Sequence, residues 1–143
     1  MYLSRARELW EKLDRLDPKG SILSKKIGLV AHDKKKQDLT VWCSQSKDKL
    51  AQYELFATGT TGKAIIDATA LSVTLLKSGP LGGDAQLGAM IVEGELDGLV
   101  FFIDPLTAMP HDVDVKALIR LATLYDVPFA CNKSTADAVL TLF

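Results

Sequence analysis

Cysteine and histidine are both scarce in this 143-residue chain, which contains two of each. Cys43 and Cys131 are too few and too far apart for a disulfide framework or a thiolate metal cluster, so we expect buried free thiols in a reducing compartment. No combination of histidines, cysteines and carboxylates has the ligand spacing of a zinc site. The composition therefore disfavours a metal centre, and we expect none.

The chain also lacks an excess of either charge and any long apolar run. Seventeen basic and eighteen acidic residues give a formal net charge of -1, which provides no broad basic surface for nucleic acid or an anionic membrane. No apolar run approaches membrane-spanning length, and charged residues are spread through residues 1–20, where a signal peptide would be apolar. These absences predict a cytoplasmic protein that binds neither nucleic acid nor membrane.

What the chain does contain, from Lys26 onward, is an alternation of short apolar runs with longer helical patterns, which is typical of a parallel sheet covered on both faces. Its length and its 48% hydrophobic content suit a single domain. We predict a three-layer, doubly wound α/β domain at 21–143, preceded by an amphipathic helix within residues 1–20. The predicted strands are 27–31, 54–58, 73–77, 98–103 and 128–131. The predicted helices that follow the first are 34–50, 61–70, 84–93, 114–125 and 134–143.

Polar residues directly after the strands are candidates for a ligand site. In an open parallel sheet, ligands bind beyond the carboxyl ends of the strands, near the point where the strand order reverses. Four of the five predicted strands are followed by polar clusters, at 32–33, 59–62, 78–84 and 104–111. The residues after the fifth strand, 132–135, are typical of an ordinary helix cap.

The segment 58–62, Thr-Gly-Thr-Thr-Gly, lies between a predicted strand and a predicted helix. Its hydroxyls and amides, together with the positive end of the following helix, favour a phosphate group. The spacing matches neither a Walker loop nor a dinucleotide fingerprint, so no nucleotide is implied. A capping loop without a ligand is the alternative. Ser78, at the next strand end, could share the same phosphate.

The segment 78–84, Ser-Gly-Pro-Leu-Gly-Gly-Asp, joins a hydroxyl, three glycines and a carboxylate. Such bare backbone carries an entropic cost, which suggests that a ligand approaches it closely. Asp84 is either a helix N-cap or a carboxylate held over a substrate. A phosphate here needs a cation, and one residue of 34–36, three successive lysines, could reach back to it, although a triple lysine is most often a solvated helix face.

Both histidines precede an aspartate and fall on the predicted ligand edge, as His32-Asp33 and His111-Asp112. Histidine is suited to moving protons or donating to a carbonyl near neutral pH. Carboxylates that share one rim suit acid-base chemistry, because repulsion and desolvation alter their basicity. Four are predicted on this rim, namely Asp33, Asp84, Asp104 and Asp114. No serine or cysteine has a convincing catalytic partner, so acyl transfer is disfavoured.

Taken together, these residues resemble the methylglyoxal synthase family over about residues 26–141. The matching stretches are LVAHD at 29–33, ATGTTG at 57–62, SGPLGGD at 78–84, DPLTAMPHDVDVKALIRLAT at 104–123 and the region 132–137. ATGTTG alone is less specific, because similar domains serve as the allosteric domain of carbamoyl-phosphate synthetase and as the cyclohydrolase part of a bifunctional purine enzyme. The aspartates and histidines favour the synthase.

The resemblance implies a lyase that converts dihydroxyacetone phosphate to methylglyoxal and inorganic phosphate, in a bypass of glycolysis, with no metal or organic cofactor. It also implies the strand order 3-2-1-4-5 and a homohexamer. Asp84 would take a proton from the substrate carbon beside the carbonyl, His111 would bond to the carbonyl and hydroxyl oxygens, and the Gly79 amide would hold the enediolate. The acid-base network would be completed by Asp114, Asp33 and, less centrally, Asp104. The substrate-binding residues would be His32, Lys36, Thr58, Gly59, Thr60, Thr61, Ser78, Gly79 and His111.

Two other functions remain open at this point. A phosphate-binding regulatory module would bind its ligand without turnover, and it has no chemical need for Asp84, His111 and Asp114 together. A purine-type cyclohydrolase belongs to a larger context than 143 residues. The first helix raises a separate expectation. Because its apolar face would be exposed if it were free, we expect the helix to pack on its own domain or on another subunit. The residues of that face are Leu9, Trp10, Leu13 and Leu16.

Overall fold

The computed structural model describes residues 2–13, 24–107 and 112–143, and within them it has the predicted three-layer α/β architecture. Five strands form one sheet in the order β3-β2-β1-β4-β5. All four neighbouring pairs are parallel, with register partners such as Ile27 and Leu55 in one pair and Leu29 and Val100 in another. The strand order 3-2-1-4-5 is therefore confirmed.

The strand bounds agree with the predicted ones to within one residue at each end. The strands are β1 (Lys26–Ala31), β2 (Glu54–Thr58), β3 (Val73–Leu76), β4 (Gly98–Phe102) and β5 (Phe129–Ala130). The helices are α1 (Tyr2–Leu13), α2 (Lys36–Gln45), α3 (Lys47–Leu50), α4 (Gly59–Thr69), α5 (Gly83–Val92), α6 (Asp112–Leu124) and α7 (Lys133–Leu140). Two short 3-10 turns, Asp33–Lys35 and Gly79–Leu81, follow β1 and β3.

The helix predicted as one piece at 34–50 is interrupted, which corrects that prediction. The chain leaves β1 through a 3-10 turn, and α2 begins only at Lys36. A second break falls at Ser46, whose backbone (φ -104°, ψ 15°) lies outside the helical region. Serine favours such a break because its side chain competes for nearby backbone hydrogen bonds. The 3-10 turn matters for the site, since it sets which of the three lysines faces the strand ends.

The core occupies both faces of the sheet, because the central strands β1 and β4 are buried along almost their whole length. On one face, Leu29 and Trp42 belong to a cluster that lies under α2, α4 and α7. On the other face, Leu99 and Phe101 pack with residues of α5 and α6. Two-sided burial explains why these strands appear in the sequence as continuous apolar runs rather than alternating ones.

The apolar face of α1 is exposed. Leu9, Trp10 and Leu13 are 61%, 69% and 60% exposed, so this face is not covered by the described part of the domain. Packing on another subunit stays a prediction, and the predicted remainder of this segment, 14–20, lies outside the described residues. None of the described helices is long and apolar enough to cross a membrane.

A hydrogen bond between α2 and α7 supplies a test of this packing. Buried Trp42 donates from Nε1 to Asp137 Oδ1 at 2.8 Å, and this bond, followed by that of Lys133, lowers the pKa of Asp137 below its ordinary value of 3.8. We expect Asp137→Ala to lower the free energy of unfolding by about 1 kcal/mol at neutral pH, and Asp137→Asn, which keeps an acceptor oxygen, to lower it less. Urea unfolding followed by far-UV circular dichroism measures both.

The pH dependence of that difference has a definite sign. Because the pKa of Asp137 is lowered by folding, its charged form stabilises the protein above the ordinary pKa, and this contribution is lost as the pH falls through the lowered value. The gap between wild type and Asp137→Ala should therefore narrow in acid. A gap that stays constant down to about pH 2 would contradict the role given to the charged carboxylate.

Candidate active site

A cavity of about 300 Å³ lies at the carboxyl ends of β1, β2 and β4, where ligands bind in sheets of this kind. Its walls come from loops that follow three strands and from the first turns of α4, α5 and α6. The residues that line it are Val30, Ala31, His32, Asp33, Lys36, Thr58, Thr60, Thr61, Ser78, Gly79, Pro80, Asp84, Phe101 and Val115. Most of the predicted site residues are thus gathered in one place.

The start of α4 forms the first wall. The helix begins at Gly59, directly after Thr58, and within the described chain the Thr58 side chain makes no capping bond to it. Thr61 is 2% exposed, and its Oγ1 has no hydrogen-bond partner among the described residues. A buried hydroxyl without a partner is costly, and helix N-termini attract anions. This wall therefore offers donors to an anionic ligand.

The end of β3 forms the neighbouring wall and lies very close to the first. A methyl group placed on Gly59 would lie 3.4 Å from the Leu76 carbonyl oxygen and 3.6 Å from the Ser78 nitrogen. These are ordinary contact distances, which shows that the start of α4 lies directly against the loop after β3. As predicted, Ser78 and the threonines of α4 line the same cavity.

Lys36 is the lysine that reaches back to the strand ends. Its Nζ lies 2.7 Å from Asp33 Oδ1 and 2.7 Å from Thr60 Oγ1. The hydrogen bond and the positive charge of Lys36 lower the pKa of Asp33 below its ordinary value. Lys34, in contrast, is exposed and does not line the cavity, so the solvated-face alternative describes it correctly.

Asp84 is not the N-cap of α5, so the interpretation of this residue as a helix N-cap is wrong. The helix begins at Gly83, and its N-cap is Gly82, whose φ of 110° suits glycine. Asp84 lies in the first turn, and a methyl group on Gly79 would be 3.5 Å from its Oδ1. The carboxylate therefore faces the bare backbone of Gly79, inside the cavity.

The first turn of α5 is held against the end of β3. The Lys77 backbone N–H donates to Gln86 Oε1 at 2.7 Å. A methyl group on Gly83 would collide with the Lys77 carbonyl oxygen, so only glycine lets the helix begin this close to the strand. These contacts set the position of Asp84, and no pattern in the sequence pointed to Gln86.

His32 is held by its surroundings rather than by its own carboxylate neighbour. Its Nδ1 accepts a hydrogen bond from the Asp104 backbone N–H at 2.9 Å. Its ring meets Phe101 edge-on, with centroids 5.0 Å apart and an interplanar angle of 73°. Phe101 reads in the sequence as an ordinary core residue of β4, which is why it was not predicted as part of the site.

The Asp104 carboxylate bonds within its own loop. Its Oδ1 accepts from the Leu106 backbone N–H at 3.1 Å. Hydrogen bonds from the Thr107 side chain and then from Leu106 lower the pKa of Asp104 below its ordinary value. Asp104 does not line the cavity, unlike Asp33 and Asp84.

Two predicted residues cannot be placed by their side chains. His111 lies outside the described residues, and for Asp114 the description covers the backbone, in the first turn of α6. Val115, the next residue, lines the cavity. The first turn of α6 therefore borders the site, and the roles of His111 and Asp114 stay predictions.

Nucleophilic and metal chemistry find no support in the described residues. Burial raises the pKa of the Cys43 thiol to about 12, and it raises that of half-buried Cys131 as well. Within 2–13, 24–107 and 112–143, no group of three or more His, Cys, Asp or Glu side chains could hold a metal ion.

The predicted cap after β5 is confirmed, since Asn132 Oδ1 accepts from the Thr135 backbone N–H at 3.0 Å.

Comparison with known proteins places the chain in a family. The MGS-like domain family matches residues 39–131. A curated methylglyoxal synthase from Leptospira interrogans (strain Fiocruz L1-130) is 56% identical over 117 residues, which cover 82% of this chain and 79% of the relative. The chain belongs to the methylglyoxal synthase family. A second member, from Rhizobium rhizogenes, is 57% identical over 115 residues, 80% of this chain and 91% of the relative.

A solved structure agrees with this membership of the methylglyoxal synthase family. The crystal structure of methylglyoxal synthase from Elizabethkingia anophelis NUHP1 has a TM-score of 0.79 to this chain and is 50% identical to it. The match covers 82% of this chain and 78% of that one. The family resemblance stated from the sequence is thus confirmed over most of the chain.

Lys36 supplies a direct test of the anion site. If it contributes a charged hydrogen bond to a bound anion, Lys36→Met should weaken the binding of inorganic phosphate about tenfold. Exposed Lys34→Met is the matched control, because it removes the same charge outside the cavity. Isothermal titration calorimetry at low ionic strength measures both, and equal losses in the two variants would indicate a long-range charge effect instead of a contact.

Proposed function

We propose that this chain catalyses the reaction for which its relatives are named, the conversion of dihydroxyacetone phosphate to methylglyoxal and inorganic phosphate. The observation that carries the proposal is the placement of the Asp84 carboxylate beside Gly79 in the same cavity as the hydroxyls of α4. Proton abstraction needs the carboxylate, and holding the phosphate group needs the hydroxyls. The identity of 53–57% to several methylglyoxal synthases over about four-fifths of the chain supports the same reaction.

The phosphate of the substrate would bind between α4 and the end of β3. This placement is supported by the hydroxyls of Thr60, Thr61 and Ser78, which line the cavity together with Lys36. The helix N-terminus adds a partial positive charge. The remaining residues of the proposed phosphate site are Thr58, Gly59 and His32.

Asp84 would act as the general base. It would remove a proton from the hydroxymethyl carbon of the substrate, and the negative charge would pass to the carbonyl oxygen, which forms an enediolate. Gly79 would stabilise that oxygen through its amide, and His111 would shuttle a proton between the two enediolate oxygens. Asp114 and Asp33 would support this network, Asp33 through its ion pair with Lys36.

The enediolate itself would then drive the release of phosphate. The electron pair of the enediolate would break the bond between carbon and the bridging oxygen, which leaves inorganic phosphate and the enol of methylglyoxal. A proton added to the terminal carbon of this enol gives methylglyoxal. The elimination is fastest when the breaking bond stands perpendicular to the enediolate plane, and a phosphate held by two loops can fix that angle.

We further propose a homohexamer in the cytoplasm, as the family resemblance implies. Exposed apolar side chains support association: Leu81 is 77% exposed and Leu106 is 94% exposed, and the apolar face of α1 is exposed as well. The free thiols Cys43 and Cys131 suit a reducing compartment. Light scattering of the purified chain measures the assembly.

Asp84→Asn tests the proposed function and its base at once. The wild type should release methylglyoxal and phosphate in equal amounts from dihydroxyacetone phosphate. Because the amide cannot accept the substrate proton, Asp84→Asn should lower kcat by at least about 10²-fold without weakening the affinity for inorganic phosphate. Asp67→Asn is the matched control, since Asp67 is an exposed residue of α4 outside the cavity.

Two results would contradict the proposal. If the wild type binds dihydroxyacetone phosphate and releases neither product, the regulatory alternative is favoured. If Asp84→Asn retains the turnover of Asp67→Asn, another group is the base.

A further inference from the structure

We propose that the loop 104–107 holds His32 as a neutral imidazole with its proton on Nε2, and that Asp104 is a positioning residue acting through its backbone N–H. This inference rests on the proposed function in one respect: His32 is taken to donate to the phosphorylated substrate. It gives Asp104 a role different from proton transfer.

The tautomer follows from the identity of the donor. A peptide N–H can only donate, so its 2.9 Å contact with His32 Nδ1 requires a lone pair on that nitrogen. A neutral imidazole carries one proton, which must then be on Nε2. An imidazolium would set a second N–H against that of Asp104, so the contact is lost when the ring becomes charged.

Two contacts restrict His32, one through its backbone and one through its ring. The His32 backbone N–H donates to the Phe102 carbonyl at 3.1 Å, which continues the pairing of β1 with β4. The edge-on contact with Phe101 limits rotation of the ring. His32 lines the cavity, and its Nε2 is shielded from bulk solvent. The donor is therefore directed at a protected position.

The side chain of Asp104 keeps its own amide in place. Its Oδ1 accepts from the Leu106 N–H at 3.1 Å, which closes a turn around Pro105. A residue before proline is also restricted to an extended backbone. The carboxylate is thus engaged on the loop, outside the cavity, while the backbone of the same residue contacts His32.

A neutral donor suits the neighbouring chemistry. His32 and Asp84 line one cavity, and a positive charge there would stabilise the carboxylate and weaken it as a base. A neutral Nε2–H can bind a substrate oxygen without that effect. A neutral imidazole has two tautomers, and the contact with the Asp104 N–H selects the one that carries this donor.

Nitrogen NMR of the full chain tests the tautomer without any substrate. The chain has two histidines, so His111→Gln leaves His32 as the sole imidazole for assignment. In histidine-labelled protein at neutral pH, two-bond ¹H–¹⁵N spectra should show a protonated Nε2 and a bare Nδ1 for His32. A protonated Nδ1, or an imidazolium, would overturn the proposal.

Two variants test the positioning role. Asp104→Asn keeps the oxygen that accepts from Leu106, so it should keep the single tautomer and a KM for dihydroxyacetone phosphate close to that of the wild type. Asp104→Ala loses this acceptor, so a mixture of tautomers should appear and the KM should rise about tenfold. If Asp104→Asn loses kcat as Asp104→Ala does, with the tautomer unchanged in both, Asp104 acts by its charge and the proposal is wrong. Failure of the proposed function would give a different result. The wild type would then show no turnover, while the NMR spectra would still report the tautomer of His32.

Discussion

The backbone of Lys77, directly after the edge strand β3, is the point on which the site depends. Its carbonyl oxygen accepts from Gly59 N at 3.4 Å, and its N–H donates to Gln86 at 2.7 Å. Gly83 lies against the same carbonyl, with no room for a side chain. The backbone of this one residue therefore contacts the starts of both α4 and α5, and residues of both starts line one cavity.

The consequence is that the proposed anion site and the Asp84 carboxylate share a cavity of about 300 Å³. A bound anion and this carboxylate would repel each other, and the chain as a whole, at a net charge of -1, offers no general attraction. Local groups must compensate, and the helix ends and Lys36 do so. The Lys36 ammonium group donates to both Asp33 Oδ1 and Thr60 Oγ1.

The fold was largely predictable because its signals are strong and local. Strands β1 and β4 are buried on both faces and so appear as continuous apolar runs between polar clusters, and those clusters mark the ligand edge. Details set by backbone conformation were less accessible. The residue pattern alone could not show which lysine of 34–36 faces inward, because the answer depends on the 3-10 turn before α2, and Lys36 was named through the family resemblance. It could not exclude Asp84 as the N-cap of α5, because the sequence does not show whether the helix begins before or after this residue.

Contacts made by backbone atoms or by distant elements were out of reach for sequence reasoning. The bond from the Asp104 N–H to His32 joins residues 72 positions apart, and a peptide group has no signature in the sequence. Phe101 has the composition of a core residue and also touches His32. Gln86 is linked to the site by the hydrogen bond that its side chain accepts from the Lys77 backbone N–H. The residues proposed for the chemistry could therefore be selected from the sequence, while the groups that hold them in place were visible only in the structure.

A crystal structure of the chain with bound inorganic phosphate tests the central claim most directly. The account predicts phosphate between the two loops, with hydrogen bonds from Thr61 Oγ1, Ser78 and Lys36, and with the Asp84 carboxylate beside Gly79 and off the phosphate. Phosphate bound at another place on the chain, or an Asp84 carboxylate turned out of the cavity in the phosphate-bound state, would contradict it.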